Sequence, residues 1–262
     1  MGDRRGVEPT PEEIAWFADH FESAPAQIVD FLASDGITLE GARVADVGSG
    51  DGLVDLGLWF RARPEQLVGF DIAPTNRAAL LARARDAGAM QELPEGLEFR
   101  ACEDRYLPAD DASFDYVVSW STFEHVVDAA ATAAEIARIL KTHGVLFLQL
   151  YPFFHSGPGS HLWTWFPDGY AQLLLDPDVV EQRVEDEAWR TSDEWRRDRL
   201  ADFRSLNRLT VDSLQDALTD AGLVISKVEL ITQPFHIPAG LDSYRITDLG
   251  ITGIKLLAYR QA

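Results

Sequence analysis

The segment Val44-Ala45-Asp46-Val47-Gly48-Ser49-Gly50-Asp51-Gly52 joins a short apolar run to glycines at every second position. Without a Cβ, such a chain turns tightly and lets a ligand lie against its backbone. Between a strand and a helix, it sits where α/β sheets receive nucleotide-like molecules, outside the carboxyl ends of the strands. The spacing narrows the chemistry. A dinucleotide fingerprint needs glycine at position 53, which is Leu53, and a phosphate-cradling loop needs a Gly-Lys-Ser/Thr run that the chain lacks. The other groups able to do chemistry are carboxylates at the ends of apolar runs, Asp71 and Glu103-Asp104 above all, and six histidines: His20, His125, His143, His155, His161 and His236.

The elements that must position these groups follow from periodicity. Short apolar runs at Arg43–Val47, Gln66–Phe70, Leu97–Ala101, Phe114–Ser119, Gly144–Leu150, Leu223–Ile231 and Gly253–Tyr259 read as strands. Helices are expected at Leu53–Arg63, at Pro74–Ala87, from a cap at Asp128 through Leu140, and from Thr210 to Ala221, ended by Gly222. The alternation argues for a parallel sheet covered by helices on both faces. Ahead of it, Thr10-Pro11-Glu12-Glu13 forms a capping box that opens a helix over 11–22, and a second helix spans Pro25–Ala33. Residues 151–208 break the rhythm. They open on a Pro/Gly-rich loop and run into charged helical sequence, where Thr191-Ser192-Asp193-Glu194 is another capping box. Asp186–Arg190, Arg190–Glu194 and Asp193–Arg197 are spaced for i,i+4 pairing. The expected organisation is a helical arm over 1–40 and an α/β domain over 41–262, with 151–208 as an insertion after the fifth strand.

Five motifs in order resemble those of class I S-adenosylmethionine-dependent methyltransferases. Asp46–Gly52 is similar to the first, Gly69-Phe70-Asp71-Ile72 to the second, and Glu103-Asp104 falls at the third. Phe114–Ser119 with Phe123-Glu124-His125-Val126 is similar to the fourth, and Glu135–Gly144 to the approach to the fifth strand. Thr142-His143-Gly144 stands where the family usually has Pro-Gly-Gly. The resemblance covers roughly 40–150 well and the last two strands weakly. It implies a Rossmann-like, doubly wound, mostly parallel seven-stranded sheet and S-adenosyl-L-methionine as cofactor. The cofactor contacts it implies come from Asp46, Gly48, Ser49, Gly50, Asp71, Ile72, Glu103, Asp104, Ser119 and Trp120. Asp71 would accept both ribose hydroxyls, or else serve as a carboxylate at the helix start before Pro74. Glu103 and the Asp104 N–H would meet adenine. Asp46 would anchor the glycine loop or face the methionine ammonium through water. Ser119 and Trp120 would flank the methionine part, with Trp120 equally suited to the core.

Methyl transfer requires a nucleophile in line with the S–CH₃ bond and exclusion of water. A hydroxyl acceptor gains from a histidine base. His155 and His161, in the loop after the fifth strand, are the catalytic candidates; the alternative is that they hydrogen-bond within that loop. Two histidines do not make a metal site, and no carboxylate can be placed with them from sequence, so no metal is expected. Tyr151, Phe153, Phe154, Trp163, Trp165, Phe166, Tyr170, Trp189 and Trp195 suit either a lid over the acceptor or the insertion's own core. In the lid reading, Gly157-Pro158-Gly159 supplies a hinge, the helix over 11–22 completes the cover, and both histidines lie closer to the methyl group than His143.

Composition sets the outer limits. In 262 residues, 23 basic and 43 acidic side chains give a net charge of −20, which disfavours a nucleic-acid partner. One cysteine, Cys102, excludes a disulfide framework. No apolar run approaches the roughly 18–20 residues of a membrane span, and no secretory signal opens the chain. The expectation is a cytoplasmic enzyme that methylates an oxygen or nitrogen of a small molecule, with no nucleic-acid or membrane partner. Protein or RNA methylation, or a non-catalytic S-adenosylmethionine- or nucleotide-binding module, are the alternatives. Oligomeric state is not readable.

Overall fold

The computed structural model describes residues 11–73, 75–86 and 90–261, with side chains from Ile14 onward. Seven strands, β1 (Arg43–Val47), β2 (Gln66–Asp71), β3 (Leu97–Ala101), β4 (Phe114–Trp120), β5 (Leu140–Leu150), β6 (Leu223–Thr232) and β7 (Ile251–Arg260), hydrogen-bond in the order β3-β2-β1-β4-β5-β7-β6. The order reverses at β1, as in a doubly wound sheet. Two compact units divide the chain: residues up to Cys102 with Phe114–Tyr116, and Glu103–Ser113 with Val117 onward.

In the first unit, β1 and β2 run parallel from Arg43↔Gln66 to Val47↔Phe70, and β2 and β3 from Leu67↔Leu97 to Asp71↔Ala101. Val44, Ala45, Leu67, Val68 and Phe70 are fully buried, the pattern of strands covered on both faces. The helices are α1 (Pro11–Phe17), continued by a π-helical turn at Ala18–Ser23, then α2 (Ala24–Ala33), α3 (Leu53–Ala62) and α4 (Arg77–Asp86). Thr10 and the side chains of Pro11 and Glu13 lie outside the described residues, as do Pro74 and Ala87 at the expected ends of α4. Helix α3 buries Leu53, Leu56 and Leu58, and its Gly57 lets the N-terminal helices press against it: a Cβ there would stand 2.2 Å from the Phe21 carbonyl oxygen and 2.5 Å from Pro25 Cγ.

In the second unit, α5 (Ala129–Ile139) starts where expected, with the Asp128 carboxylate accepting from the Ala131 N–H at 3.0 Å. Strand β5 begins at Leu140, not at Gly144, and carries the exposed His143 at φ 62°. The insertion folds into α6 (Ala171–Leu174), α7 (Pro177–Asp186), a 3₁₀ turn at Ala188–Arg190 and α8 (Asp193–Ser205). Three local expectations need correction. The α8 cap is Ser192, one residue on from Thr191, and it accepts from the Trp195 N–H. Arg190 pairs with Glu187, because the chain leaves the helix after Asp186 and is extended at Thr191. Arg196, not Arg197, takes Asp193, and it also takes Glu185.

Two of the insertion's aromatics build that segment's own core, and a third packs outside it. Trp165 and Phe166 pack with Leu162, Val180, Val184 and Leu200, while Tyr170 packs with Leu241 and Leu249. Trp163 and Trp189 stay exposed. Gly157 and Gly159 are no hinge: both are buried, and added Cβ atoms would meet the Phe235 ring at 2.4 Å and the Phe154 carbonyl oxygen at 2.1 Å. After the insertion, α9 (Val211–Asp220) begins in a capping box between Thr210 and Ser213, as its cap predicts. A short α10 (Ile246–Gly250), absent from the sequence reading, leads into β7, which pairs antiparallel with both β5 and β6.

The Gly57 contact is testable. Gly57→Ala should gain helix propensity yet lose stability overall, by about 1–3 kcal/mol from overpacking, read as a lower urea midpoint. An unchanged or higher midpoint would show that the N-terminal helices do not press on α3.

Candidate functional site

The first unit holds the glycine loop. Gly48, Gly50 and Gly52 all have positive φ, of 91°, 51° and 81°. A Cβ on Gly52 would strike Phe99 and Leu80, whereas at Gly50 it would meet nothing within 4 Å. Gly52 is thus demanded by packing, and Gly50 leaves backbone open to a ligand. At the end of β2, one Asp71 carboxylate oxygen accepts the Gly50 N–H at 2.8 Å and the other accepts the Ala73 N–H at 2.8 Å. Its carbonyl accepts from the Cys102 N–H at 2.9 Å. Ile72, the next residue, is 66% exposed, an apolar side chain left in solvent beside that carboxylate. Ser49 is buried, with its hydroxyl 3.3 Å from that of Thr75. Asp51 ties the loop to its surroundings, accepting from Trp16 Nε1 at 3.0 Å and Arg83 at 2.7 Å.

Asp46 lies beneath the loop, not in it. It is 2% exposed and faces the fully buried Asp55 of α3, a residue the sequence reading did not single out. No N–H or hydroxyl reaches either Asp55 oxygen or Asp46 Oδ1. Burial raises both carboxyls, Asp46 to about 7 and Asp55 well above the carboxylate range; Asp55 lowers Asp46 again through a side-chain hydrogen bond while Asp71 raises it, and the Asp46 charge raises Asp55 further. One proton held between the two carboxyls lets both stay inside.

In the second unit, Glu103 and Asp104 are exposed, and Glu103 is bridged to Tyr106. Ser119 is fully buried, and Trp120 stacks on Phe147 with ring centroids 6.4 Å apart. Just past β4, Ser121 bonds to Gln149 through both its N–H and its hydroxyl. Asn207 then clamps the following turn: its side chain donates to the carbonyls of Phe123 and Val126, and its N–H donates to that of Glu124.

Of the two histidine candidates, His155 is half-buried, its ring near Phe154 and Tyr244 and its Nδ1 without a hydrogen-bond partner. Burial, helped by Arg208 and opposed by Asp248, lowers its pKa. His161 is buried at φ 60°, its pKa lowered to about 3 by burial and then by His125 and Arg199. It does not join His155. It meets His125 with ring centroids 5.2 Å apart, and Glu124 completes the group. The carboxylate that could not be placed from sequence is therefore Glu124, adjacent to His125 in the chain.

Comparison with known proteins agrees with this geometry. Residues 45–148 match the family model described as a methyltransferase domain. Over that stretch the chain is similar to methyltransferase domains. A ubiquinone biosynthesis O-methyltransferase of Xylella fastidiosa is 31% identical over 138 residues, 51% of this chain and 53% of that protein. The chain thus spans about half the length of the curated relatives it matches in this way. A protein of the same name from Alkalilimnicola ehrlichii is 28% identical over 86% of this chain and 87% of its own. Among solved structures, geranyl diphosphate C-methyltransferase from Streptomyces coelicolor, in complex with S-adenosyl-L-homocysteine among other ligands, superposes with a TM-score of 0.55 at 16% identity, covering 98% of this chain and 89% of that one. At that identity the likeness speaks for the fold. No helix among the described residues is long and apolar enough to cross a membrane.

The Asp46–Asp55 pair carries a pH dependence. Asp46 keeps a proton in the fold between its ordinary value of 3.8 and about 7, a proton the unfolded chain has already lost. Stability is therefore full below that window and falls as pH rises through it. Asp55→Asn, an amide that can donate to the Asp46 carboxylate, should raise the melting temperature above pH 7 relative to wild type and narrow that advantage at pH 5. Parallel wild-type and variant profiles would refute a shared proton.

Proposed function

We propose that this chain transfers the methyl group of S-adenosyl-L-methionine to an oxygen or nitrogen of a small-molecule acceptor. The observation that carries the reading is the Gly50–Asp71 cradle. Each Asp71 oxygen uses one lone pair on a backbone N–H and keeps another for a ribose hydroxyl, while Gly50 offers open backbone beside it. The residues fit the cofactor in charge as well, since carboxylates suit a sulfonium cation. When bound, S-adenosyl-L-methionine supplies a methyl group already electrophilic enough to need only an aligned acceptor.

Gly48, Ser49, Gly50 and Asp71 would hold the ribose and methionine side, with Asp46 supporting the loop from below. Ile72 would give an apolar face for adenine; the sequence resemblance, for its part, implies Glu103 and Asp104 for the polar edge of adenine and Ser119 and Trp120 for the methionine part. On the acceptor side, His155 is the better placed of the two histidine candidates to accept a proton: it is partly accessible, and its lowered pKa leaves the imidazole neutral at pH 7. The insertion over 151–208 would cover the acceptor through its exposed Trp163 and the loop bearing His155. The two relatives, both O-methyltransferases by name, favour oxygen as the target.

Four measurements test this. Asp71→Ala should weaken cofactor binding by about 1.5–3 kcal/mol in titration calorimetry, the range for hydrogen bonds to a charged group. Unchanged affinity in a folded variant would remove Asp71 from the site. With label from the cofactor methyl group, counts should appear in the small-molecule fraction of an extract; counts only in protein or RNA would overturn the acceptor class. His155→Gln should then lower kcat on the order of a hundredfold without changing cofactor affinity. The acid limb of wild-type kcat/KM should lie below pH 6.5, because burial and Arg208 outweigh Asp248. Wild-type turnover in this variant would leave His155 a loop residue.

A further inference from the structure

Glu124, His125 and His161 each direct one ligand atom into a common point in the second unit, all within 4.8 Å of one another. Among the described residues no other cluster of three such groups forms. Glu124 is 2% exposed, and neither of its oxygens makes a hydrogen bond of ordinary geometry. His161 Nε2 is likewise buried and unpartnered. A fold that drives a carboxylate and an imidazole nitrogen out of water toward each other, with no donor between them, leaves two costly orphan groups.

The tautomer of His125 is settled by its neighbour. Ser205 Oγ donates its single proton to the Asp202 carbonyl at 2.9 Å, so at 2.7 Å it accepts from His125 Nδ1–H. The lone pair of His125 then sits on Nε2. A ring nitrogen fixed by a hydrogen bond from its opposite nitrogen is the usual state of a metal-binding histidine. The backbone is held as firmly: Asn207 clamps Phe123 through Val126, and His161 keeps a left-handed conformation that a β-substituted residue adopts at a cost. Arg199, the nearby cation, is paired to Asp202 at 2.7 Å, which offsets its repulsion of a second positive charge.

We propose that Glu124, His125 and His161 form a binding site for a first-row divalent transition metal, zinc being the expected ion. Two imidazoles and one carboxylate select such an ion over magnesium or calcium, which prefer oxygen ligands throughout. Atoms bound to one zinc lie about 2.0–2.2 Å from it, so the three side chains close by roughly one ångström on loading. Three protein ligands leave positions open to water or to an acceptor oxygen. Use of those positions by an acceptor rests on the methyl-transfer reading; ion binding does not.

The test is titration of Co²⁺, then Zn²⁺, into the chelator-treated full chain, followed by visible absorption and calorimetry. One equivalent of Co²⁺ should give a visible d–d band that Zn²⁺ abolishes. Glu124→Gln and His161→Asn should each lower the affinity at least tenfold; asparagine tolerates the positive φ at 161 and keeps the loop. Ser205→Ala removes the partner of His125, together with the hydroxyl's bond to the Asp202 carbonyl, and should cost about 10–100-fold. His143→Gln, at an exposed histidine elsewhere, should leave band and affinity unchanged, which separates the site from ions gathered by the acidic surface. Circular dichroism checks each variant for folding. Absence of a stoichiometric Co²⁺ band in the wild type overturns the proposal, as does equal affinity in wild type and folded Glu124→Gln. Because the readout is the ion, loss of methyl transfer has no bearing on it.

Discussion

One carboxylate at the end of β2 organises the glycine-loop face of the first unit. Asp71 accepts from Gly50 on the glycine loop and from Ala73 on the way to α4, and its carbonyl accepts from Cys102 just past β3. Three segments that the chain delivers separately are thereby fixed to one residue. The positive φ values of the loop are sustainable because those positions are glycine, and the carboxylate fixes the direction in which the Gly50 N–H points. The parallel register supplies the rest: Asp71 stands opposite Ala101, so both strands end together.

Around that contact the fold accepts charges that an apolar core would not. Asp46 and Asp55 lie inside the unit, and Glu124 is equally buried in the other. For an isolated carboxylate this would cost several kcal/mol. The pair under the glycine loop avoids the cost by holding a proton, so the support of the loop is uncharged on one side. Burial likewise raises the pKa of Glu124, outweighing the help of nearby backbone N–H groups. Groups perturbed in this way, by burial and by one another, mark places where a structure is shaped by something other than packing.

Residues 151–208 fold without loose ends. Trp165 and Phe166 fill a small core of that segment's own, so that α7 and α8 support the loop after β5. The buried glycines at 157 and 159 let that loop fold back on Phe154 and Phe235. A loop packed so tightly positions His155 and His161 on different sides: the first toward Tyr244, the second toward His125.

Much of this was legible in the amino-acid sequence. Strand and helix periods placed β1 and β3 to the residue and the other strands within a few residues. The caps at Asp128 and Thr210 are local hydrogen bonds, and local sequence encodes them. The G-x-G-x-G spacing and Asp71 were readable because a turn and a strand end are short-range features. What the sequence alone could not decide was which distant side chains meet. Asp55 reads as one acidic residue in a helix's first turn, and its pairing with Asp46 needs the packing of α3 on β1. His125 and His161 are separated by β5 and α5, and they join Glu124 only because the loop after β5 folds back against the turn after β4. Periodicity constrains the angle of each element about its own axis. The convergence of side chains from separate elements depends on how those elements pack, and only tertiary structure holds that information.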